Sequence, residues 1–298
     1  MTVPVHTHDK PDSTNDSLIP SDSAGIAVLP DQQLTPMDIA SGMLVGTSAT
    51  PPITDVLYVT EPGDTSAISV ADIHQGGLAD CFLLASIGEL ALFHPASITS
   101  MIHPNGNGTE TVSLHTDANG GVPIFGSTAF KSIAVTVPDS FSPLGVNGPD
   151  SASQDIIGTQ QEIWPQVLEE AYAYLNNGYA GIANGGSPVI AMEELTGQAA
   201  IWTTPQRMSW ASLLNHISQG DLLTFDTASR PSSPYALVPS HAYMFAGVDT
   251  TRQTLQLLNP WGFGNPQPIP FSQLKQAGIV EIDIGHVAPP LGATLIGA

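Results

Sequence analysis

The stretch "DIHQGGLADCFLLASIGELALFHP", from Asp72 to Pro95, contains Cys81, the only cysteine of the chain. Glycines and an acid precede the thiol, and an almost wholly apolar run follows it. The run predicts a helix over Cys81–Phe93, with Asp80 as its N-cap and Pro95 ending it. Because this helix is apolar nearly all round, we expect it to be buried. Its thiol is either a core cysteine or a nucleophile whose pKa the helix N-terminus lowers.

A nucleophilic thiol needs a base, and the base needs a group that orients it. One segment offers both: "VPSHAYMFAGVDTTRQTLQLLNPWG" has two strand-like runs around "DTTR", a pattern typical of a hairpin. Thr250 lies midway between His241 and Asn259, so antiparallel pairing places these two side chains opposite each other, within ~5 Å. This predicts a Cys–His–Asn triad with Cys81. Taken alone, His241 also fits a half-buried strand histidine.

Gln75 lies six residues before the thiol, in the loop that leads to the predicted helix. Its side-chain amide and the backbone N–H of Cys81 are suited to hold the oxyanion of an acyl-transfer reaction. The alternative is an ordinary loop residue.

The rest of the chain predicts an α+β fold in two lobes. Residues 1–55 are rich in Ser, Thr, Asp and Pro, which indicates a flexible arm or a pro-segment, with a short amphipathic piece near Met37–Met43. Residues 56–200 form the helical lobe and residues 201–298 the β-rich lobe. The expected elements are a hairpin within Thr109–Val137, helices over Glu162–Asn177 and Met208–Gly220, and strands "DLLTFDT", "AYMFAGVD", "TLQLLN" and "IVEIDIG".

Composition narrows the classes of partner. The 298 residues include 6 lysines and arginines against 27 acids, a formal net charge of -21, which argues against nucleic-acid binding. One cysteine excludes an internal disulfide. The N-terminus lacks the apolar core of a Sec signal peptide, and no apolar run reaches the ~18 residues of a membrane span. We expect a soluble protein, cytoplasmic or exported without such a signal, and its oligomeric state stays open.

Four segments together resemble the catalytic core of the calpain family, in the family's order and over about Asp72–Gly262. The match covers "QGGLADCFLLASIGEL", "WPQVLEEAYAYLNNGYAGIANGG" with "MEELTGQ", "HAYMFAGV" and "LNPWG". There are two departures: Phe82 stands where the family has tryptophan, and Ala79 where it has glycine.

The resemblance implies a papain-like cysteine peptidase fold with a helical lobe that carries the cysteine and a β-rich lobe that carries the histidine and the asparagine. Cys81 would be the nucleophile, His241 the base, Asn259 its orienting partner and Gln75 an oxyanion donor. Trp261 would shield the His–Asn bond from water.

Calcium is the one cofactor that the resemblance implies. Asp72 and Glu169 fall where the family places carboxylate ligands in the first lobe, with backbone carbonyls completing the shell. In the second lobe the family has acids after "NPWG". Because "FGNPQPIP" has none, that site is expected to be lost.

The function predicted is that of a calpain-like cysteine endopeptidase acting on protein or peptide substrates, with calcium dependence left open. Two alternatives use the same fold. One is an acyltransferase of transglutaminase type, which passes the acyl group to an amine; the other is a non-catalytic binding module.

Overall fold

The structure, a computed structural model, describes residues 54–60, 66–123, 127–141, 156–157, 160–231 and 234–288. All of them belong to the compact unit Thr50–Ala298. The predicted arm of residues 1–55, with its amphipathic piece near Met37–Met43, lies outside the described residues except at Thr54 and Asp55. These two residues begin a strand that crosses the predicted boundary of the arm.

The first lobe combines helices with two three-stranded sheets, in the orders β1-β6-β5 and β2-β3-β4 as numbered below. The antiparallel hairpin predicted within Thr109–Val137 is confirmed as the pair formed by the third and fourth strands. In chain order the elements are β1 (Thr54–Val56), α1 (Cys81–Phe93), α2 (Pro95–Met101), β2 (Ile102–Pro104), β3 (Thr109–Asp117), β4 (Phe130–Pro138), β5 (Ile156–Ile157), β6 (Gln160–Glu162), α3 (Trp164–Leu175), α4 (Tyr179–Ile182) and α5 (Pro188–Thr196).

The second lobe contains a six-stranded sheet, whose strands lie in the order β11-β10-β9-β8-β12-β7 as numbered below. Its longer helix, Trp210–Gln219, ends at the predicted C-cap Gly220, which has a left-handed backbone conformation. The four predicted strands are present, and the α+β class is confirmed. In chain order the elements are β7 (Ala200–Thr203), α6 (Trp210–Gln219), β8 (Leu222–Thr227), β9 (Ala242–Asp249), β10 (Thr254–Leu258), β11 (Ile269–Pro270), α7 (Leu274–Ala277) and β12 (Ile279–Gly285).

Helix α1 has the predicted bounds and is buried from Phe82 to Ala91. Gly88 lets it lie close to β9, because a Cβ on this glycine would clash with Met244 Sδ. Among the described residues, no single helix has the length and apolar character needed to cross a membrane. Only α1 and α2 taken together pass that test of length and composition, and they are bent by 114°.

A buried carboxyl group joins α1 to the second-lobe sheet. Glu89 is fully buried, and its Oε2 accepts a hydrogen bond from the Leu223 backbone N–H of β8 at 3.0 Å. Its Oε1 accepts one from the Phe245 N–H of β9 at 2.5 Å. Both N–H groups lie just beyond the residues that pair β8 with β9. One helix residue therefore satisfies a backbone N–H group of each strand, and this ties the second half of α1 to β8 and β9.

Candidate active site

Cys81 is the first residue of α1 and packs against Ala242, the first residue of β9. Asp80 occupies the predicted N-cap position but makes no side-chain capping bond. Its backbone carbonyl accepts from the N–H groups of Leu83 and Leu84, while the N–H of Cys81 has no intrahelical acceptor, as expected in a first turn. The thiol thus lies at a helix tip that offers a free donor, beside the strand that begins after His241.

The pKa of the Cys81 thiol is raised to about 11, contrary to the expectation from the helix N-terminus. Burial of the thiol is the largest cause. The backbone N–H of Ala242 favours the thiolate, but the negative charges of Asp226 and Asp80 oppose it. The sequence pattern predicted the helix tip correctly, but it missed the burial and the two acids that raise the pKa of the thiol.

His241 and Asn259 are in contact, with 2.8 Å between His241 Nε2 and Asn259 Oδ1. The register that led to this expectation was nevertheless wrong, because the two residues are not directly opposite. Leu258 pairs with Met244, so the next residue along continues the register opposite Tyr243, two residues from His241. The contact is therefore a diagonal one across the ends of β9 and β10.

A β-bulge makes this diagonal contact possible. β9 contains one extra residue, Ala246, between the pairs Gly247–Gln256 and Phe245–Leu257. Because side chains alternate between the two faces of a sheet, the extra residue moves the first half of β9 onto the other face relative to β10. Without it, the histidine and the asparagine would point to opposite faces.

The orientation of Asn259 fixes the tautomer of His241. Asn259 Oδ1 also accepts from the backbone N–H of Trp261 at 3.0 Å, so the oxygen rather than the amide nitrogen faces the imidazole. A carbonyl oxygen only accepts, hence Nε2 carries the proton and Nδ1 is left as the acceptor. The backbone N–H of Asn259 donates to Asn265 Oδ1 at 2.8 Å, which anchors the asparagine.

Two aromatic rings enclose the imidazole of His241. Trp261 lies with its ring centroid 5.0 Å away, and Tyr243 packs edge-on at 5.1 Å. His241 is only 6% exposed, and burial lowers the pKa of its imidazole. Trp261 thus lies against the imidazole, and its role in shielding the His–Asn bond from water stays a prediction.

Gln75 lies beside the thiol loop but is engaged elsewhere. Its Nε2 donates to the Leu78 carbonyl at 2.7 Å and to Asp80 Oδ1 at 3.1 Å. Its backbone N–H donates to the Pro260 carbonyl at 2.8 Å, which ties this loop of the first lobe to the segment that follows Asn259. Because both amide hydrogens are in use, the side chain can reach an oxyanion only after its amide turns.

The two residues predicted to bind calcium have different partners. Asp72 Oδ2 accepts from the Ser69 backbone N–H at 2.8 Å and from the Trp164 indole N–H at 2.9 Å. Glu169 is fully buried, and its carboxyl group faces that of Asp80 closely enough to share a proton. Burial raises the pKa of Asp80 to about 6, so one proton on this pair is retained in mildly acidic solution.

The sequence reasoning missed a group of three acids beside this site. Asp226 of β8 and Glu281 and Asp283 of β12 carry carboxylate oxygens that all lie within 4.8 Å of one another. The alternation "EID" and the acid of "TFD" were the available signals, because alternate positions on neighbouring strands share a face. Nothing in the sequence indicated that β8 and β12 are neighbours.

Comparison with known proteins gives the family. Residues 63–267, more than half of the chain, match the family described as "Calpain family cysteine protease". The chain belongs to the calpain family of cysteine proteases. The matched range includes Cys81, His241 and Asn259.

Curated calpains are similar to this range at moderate identity. Calpain-9 of Rattus norvegicus is 30% identical over 210 residues, covering 64% of this chain and 28% of that protein. The Calpain-2 catalytic subunit of Gallus gallus is 27% identical over 206 residues, with the same two shares. Calpain clp-4 of Caenorhabditis elegans is 26% identical over 216 residues, or 66% of this chain and 28% of that protein. The chain thus corresponds to less than a third of the length of these calpains.

Proposed function

We propose that this chain is a cysteine endopeptidase that hydrolyses protein or peptide substrates through Cys81, His241 and Asn259. The observation that carries the proposal is the bond of 2.8 Å between His241 Nε2 and Asn259 Oδ1, made at the start of the strand whose first residue packs against Cys81. It leaves an accepting ring nitrogen on His241, the residue that directly precedes Ala242, and Ala242 is the neighbour of the thiol. Such an arrangement suits acyl transfer through a covalent intermediate.

In the proposed first step the Cys81 sulfur attacks the scissile carbonyl carbon while His241 Nδ1 accepts the thiol proton. Asn259 Oδ1 holds the Nε2–H and stabilises the imidazolium that forms. The imidazolium then gives its proton to the amine nitrogen as the C–N bond breaks, which leaves a thioester on Cys81. A water molecule, deprotonated by the same nitrogen, hydrolyses the thioester and returns the thiol.

The raised pKa of the thiol and the lowered pKa of the imidazole determine the resting state. Both groups are neutral at neutral pH, so the proton moves to His241 during the attack rather than before it. This is general-base catalysis of a thiol and not the reaction of a preformed thiolate.

The oxyanion of the tetrahedral intermediate needs donors near the sulfur. The backbone N–H of Cys81 is one candidate, because it has no intrahelical acceptor. The Gln75 amide is the second, once it turns away from Leu78 and Asp80. The buried Oε1 of Gln75 has no hydrogen-bond partner, so the amide gives up no bond to this atom when it turns.

Calpains are in general regulated by calcium, and calcium binding by Asp72 and Glu169 in this chain stays a prediction. One oxygen of Asp72 accepts two N–H bonds, and Glu169 faces another carboxyl group. No step of the proposed mechanism therefore goes through calcium. Melting temperatures of wild type and Asp72→Asn in calcium and in chelator test this; a calcium-dependent rise that is lost in the variant would support the site.

Digestion of casein, followed with and without an added primary amine, tests the function. We expect wild type to release peptides with free carboxyl termini, and Cys81→Ala to release none while its melting temperature is retained. Amide products at the expense of hydrolysis would identify an acyltransferase. A wild-type chain that neither cleaves nor transfers would contradict the proposal and favour a binding module.

A further inference from the structure

The three acids Asp226, Glu281 and Asp283, called here the acidic triplet, lie on the face of the second-lobe sheet that packs against α1. In the register, Asp226 is opposite Glu281 on one side and opposite Ala242 on the other. Side chains of directly opposed residues share a face, and Ala242 contacts Cys81 on this face. The triplet is thus one strand away from the residue that contacts the thiol, and Asp226 is close enough for its charge to act on the sulfur.

Two oxygens of the acidic triplet are buried without a hydrogen-bond donor. Asp283 is fully buried; its Oδ2 accepts from Thr224 Oγ1 at 2.9 Å, but its Oδ1 has no hydrogen-bond partner. Asp226 Oδ1 is also buried without one. Among the described residues, the arginine–carboxylate pair is the exposed one between Arg252 and Asp249, so the triplet has no lysine or arginine partner there. Buried acceptors without donors are costly unless a cation or protons reach them.

We propose that the acidic triplet is a substrate subsite that binds the ammonium or guanidinium group of a lysine or arginine close to the scissile bond; this rests on the proposed peptidase function. Asp226 and Glu281 are half-buried and Asp283 is buried, so a cation would reach the triplet at Asp226 and Glu281. The subsite makes the enzyme selective for basic side chains on the acyl side of the bond.

The geometry favours an organic cation over a metal ion. β8 and β12 each have a strand on both sides, and β12 is paired with β7 from Ile282 onward, so most backbone carbonyls near the triplet are used in the sheet and side chains are its main ligands. Calcium takes six to eight oxygens and usually includes carbonyls. A lysine ammonium group has three donors, which the carboxyl oxygens of the triplet can accept.

Occupation of the subsite also bears on the nucleophile. A cation at Asp226 offsets the negative charge that raises the pKa of Cys81. A bound basic side chain therefore both anchors the substrate and favours loss of the thiol proton. Selectivity should appear in kcat as well as in KM.

Matched peptide substrates test the subsite. Each pair carries lysine or norleucine at one of the three positions before the scissile bond. We expect wild type to favour lysine at one position by ~10²-fold in kcat/KM. The double variant Asp226→Asn/Glu281→Gln should lose this preference, so that its ratio of kcat/KM values for the lysine and norleucine peptides falls to about one. Asp249→Asn, which removes an exposed acid of the same lobe, should keep the preference.

The possible failures are distinguishable. Equal cleavage of lysine and norleucine peptides at all three positions would overturn the subsite and leave the peptidase in place, whereas no cleavage of any peptide would overturn both. A second experiment titrates calcium into Cys81→Ala by calorimetry, with and without the substitutions Asp226→Asn and Glu281→Gln. Binding of one ion that these substitutions abolish would make the triplet a metal site and overturn the proposal. If the double variant fails to fold, Glu281→Gln alone should reduce the lysine preference.

Discussion

The reactive state of Cys81 is set by its neighbours rather than by its helix. With its pKa raised to about 11, the thiol is protonated at neutral pH. We expect alkylation by iodoacetamide to be slow at pH 7 and to rise about tenfold per pH unit up to pH 9, because only the thiolate reacts. Asp226→Asn should speed the reaction, and Asp249→Asn should not.

The measurement is direct because the chain has a single thiol. A rate of alkylation that already reaches a plateau below pH 7 would mean that Cys81 and His241 form a thiolate–imidazolium pair, contrary to the neutral pair inferred here.

The two partners of the thiol should differ in the cost of their removal. His241→Ala should reduce kcat/KM nearly as much as Cys81→Ala, because the nucleophile and the base act as a unit and neither functions without the other. Asn259→Ala leaves the base in place but unoriented, so its loss should be smaller. His103→Ala, at an exposed histidine of β2, is the matched control with wild-type activity. An Asn259→Ala enzyme as active as wild type would remove Asn259 from the site.

For individual residues, the sequence predicted positions and contacts better than it predicted the pKa of the thiol. The contact between His241 and Asn259 followed from strand patterns around a turn, and the helix that starts at Cys81 followed from an apolar run. The raised pKa of the thiol did not, because it depends on Asp226, which is 145 residues away along the chain and adjacent only through the register of β8 and β9.

The β-bulge in β9 is the element on which the geometry of the site depends. Gly247, beside the extra residue Ala246, has φ +151°, a conformation that L side chains rarely adopt. Gly247→Ala should lower the free energy of unfolding by ~1–3 kcal/mol. It should also reduce kcat, since a relaxed bulge separates His241 from Asn259.

Gly121→Ala is the control for this substitution. That glycine has no positive φ and open space around its Cβ position, so its stability and activity should be unchanged. Unfolding in denaturant and peptidase assays on both variants provide the comparison. A Gly247→Ala enzyme with full activity and stability would show that the triad does not depend on the bulge.

Helix and strand periods were readable in the sequence, while the bulge was not. "AYMFAGVD" reads as a regular strand, and a turn placed midway between His241 and Asn259 brought them together by a register that the structure does not have. His241 and Asn259 are still in contact for two reasons. The turn lies further along the chain than predicted, and the extra residue Ala246 places the two side chains on the same face of the sheet. A bulge is specified by packing on both sides of the strand, which a single segment does not reveal.

Across the whole molecule, several buried acidic side chains have raised pKa values. Burial raises the pKa of Asp80 to about 6 and those of Glu193, Glu194 and Asp226 to about 7. An acid with a raised pKa in the folded state binds its proton more tightly there than in the unfolded state. Its contribution to stability is therefore present below pH ~4 and is lost as pH rises through 6 to 7.

We expect the melting temperature to fall by roughly 5 °C or more between pH 5 and pH 8, with the net charge of -21 adding self-repulsion. The lowered pKa values of His115 and His241 act in the opposite direction and are fewer. Glu193→Gln, which imitates the protonated side chain, should show a smaller fall. A melting temperature that is flat or rises over this range would contradict the account.

The α+β class was predicted, because helices dominate the first part of the chain and strands the last. How the lobes meet was not. Glu89 reads as a polar exception in an apolar helix, yet it joins α1 to β8 and β9. The role of Glu89 is visible only once the fold places the backbone N–H groups of two distant strands beside its carboxyl group.

The most direct test of the central claim is the intact mass of the protein during turnover of a peptide ester, sampled by rapid acid quench. We predict one acyl group per chain, located by fragmentation on Cys81, accumulating before steady state and absent from Cys81→Ala. Turnover of the ester or of casein by Cys81→Ala, or an acyl group found on another residue, would contradict the assignment of Cys81 as the nucleophile.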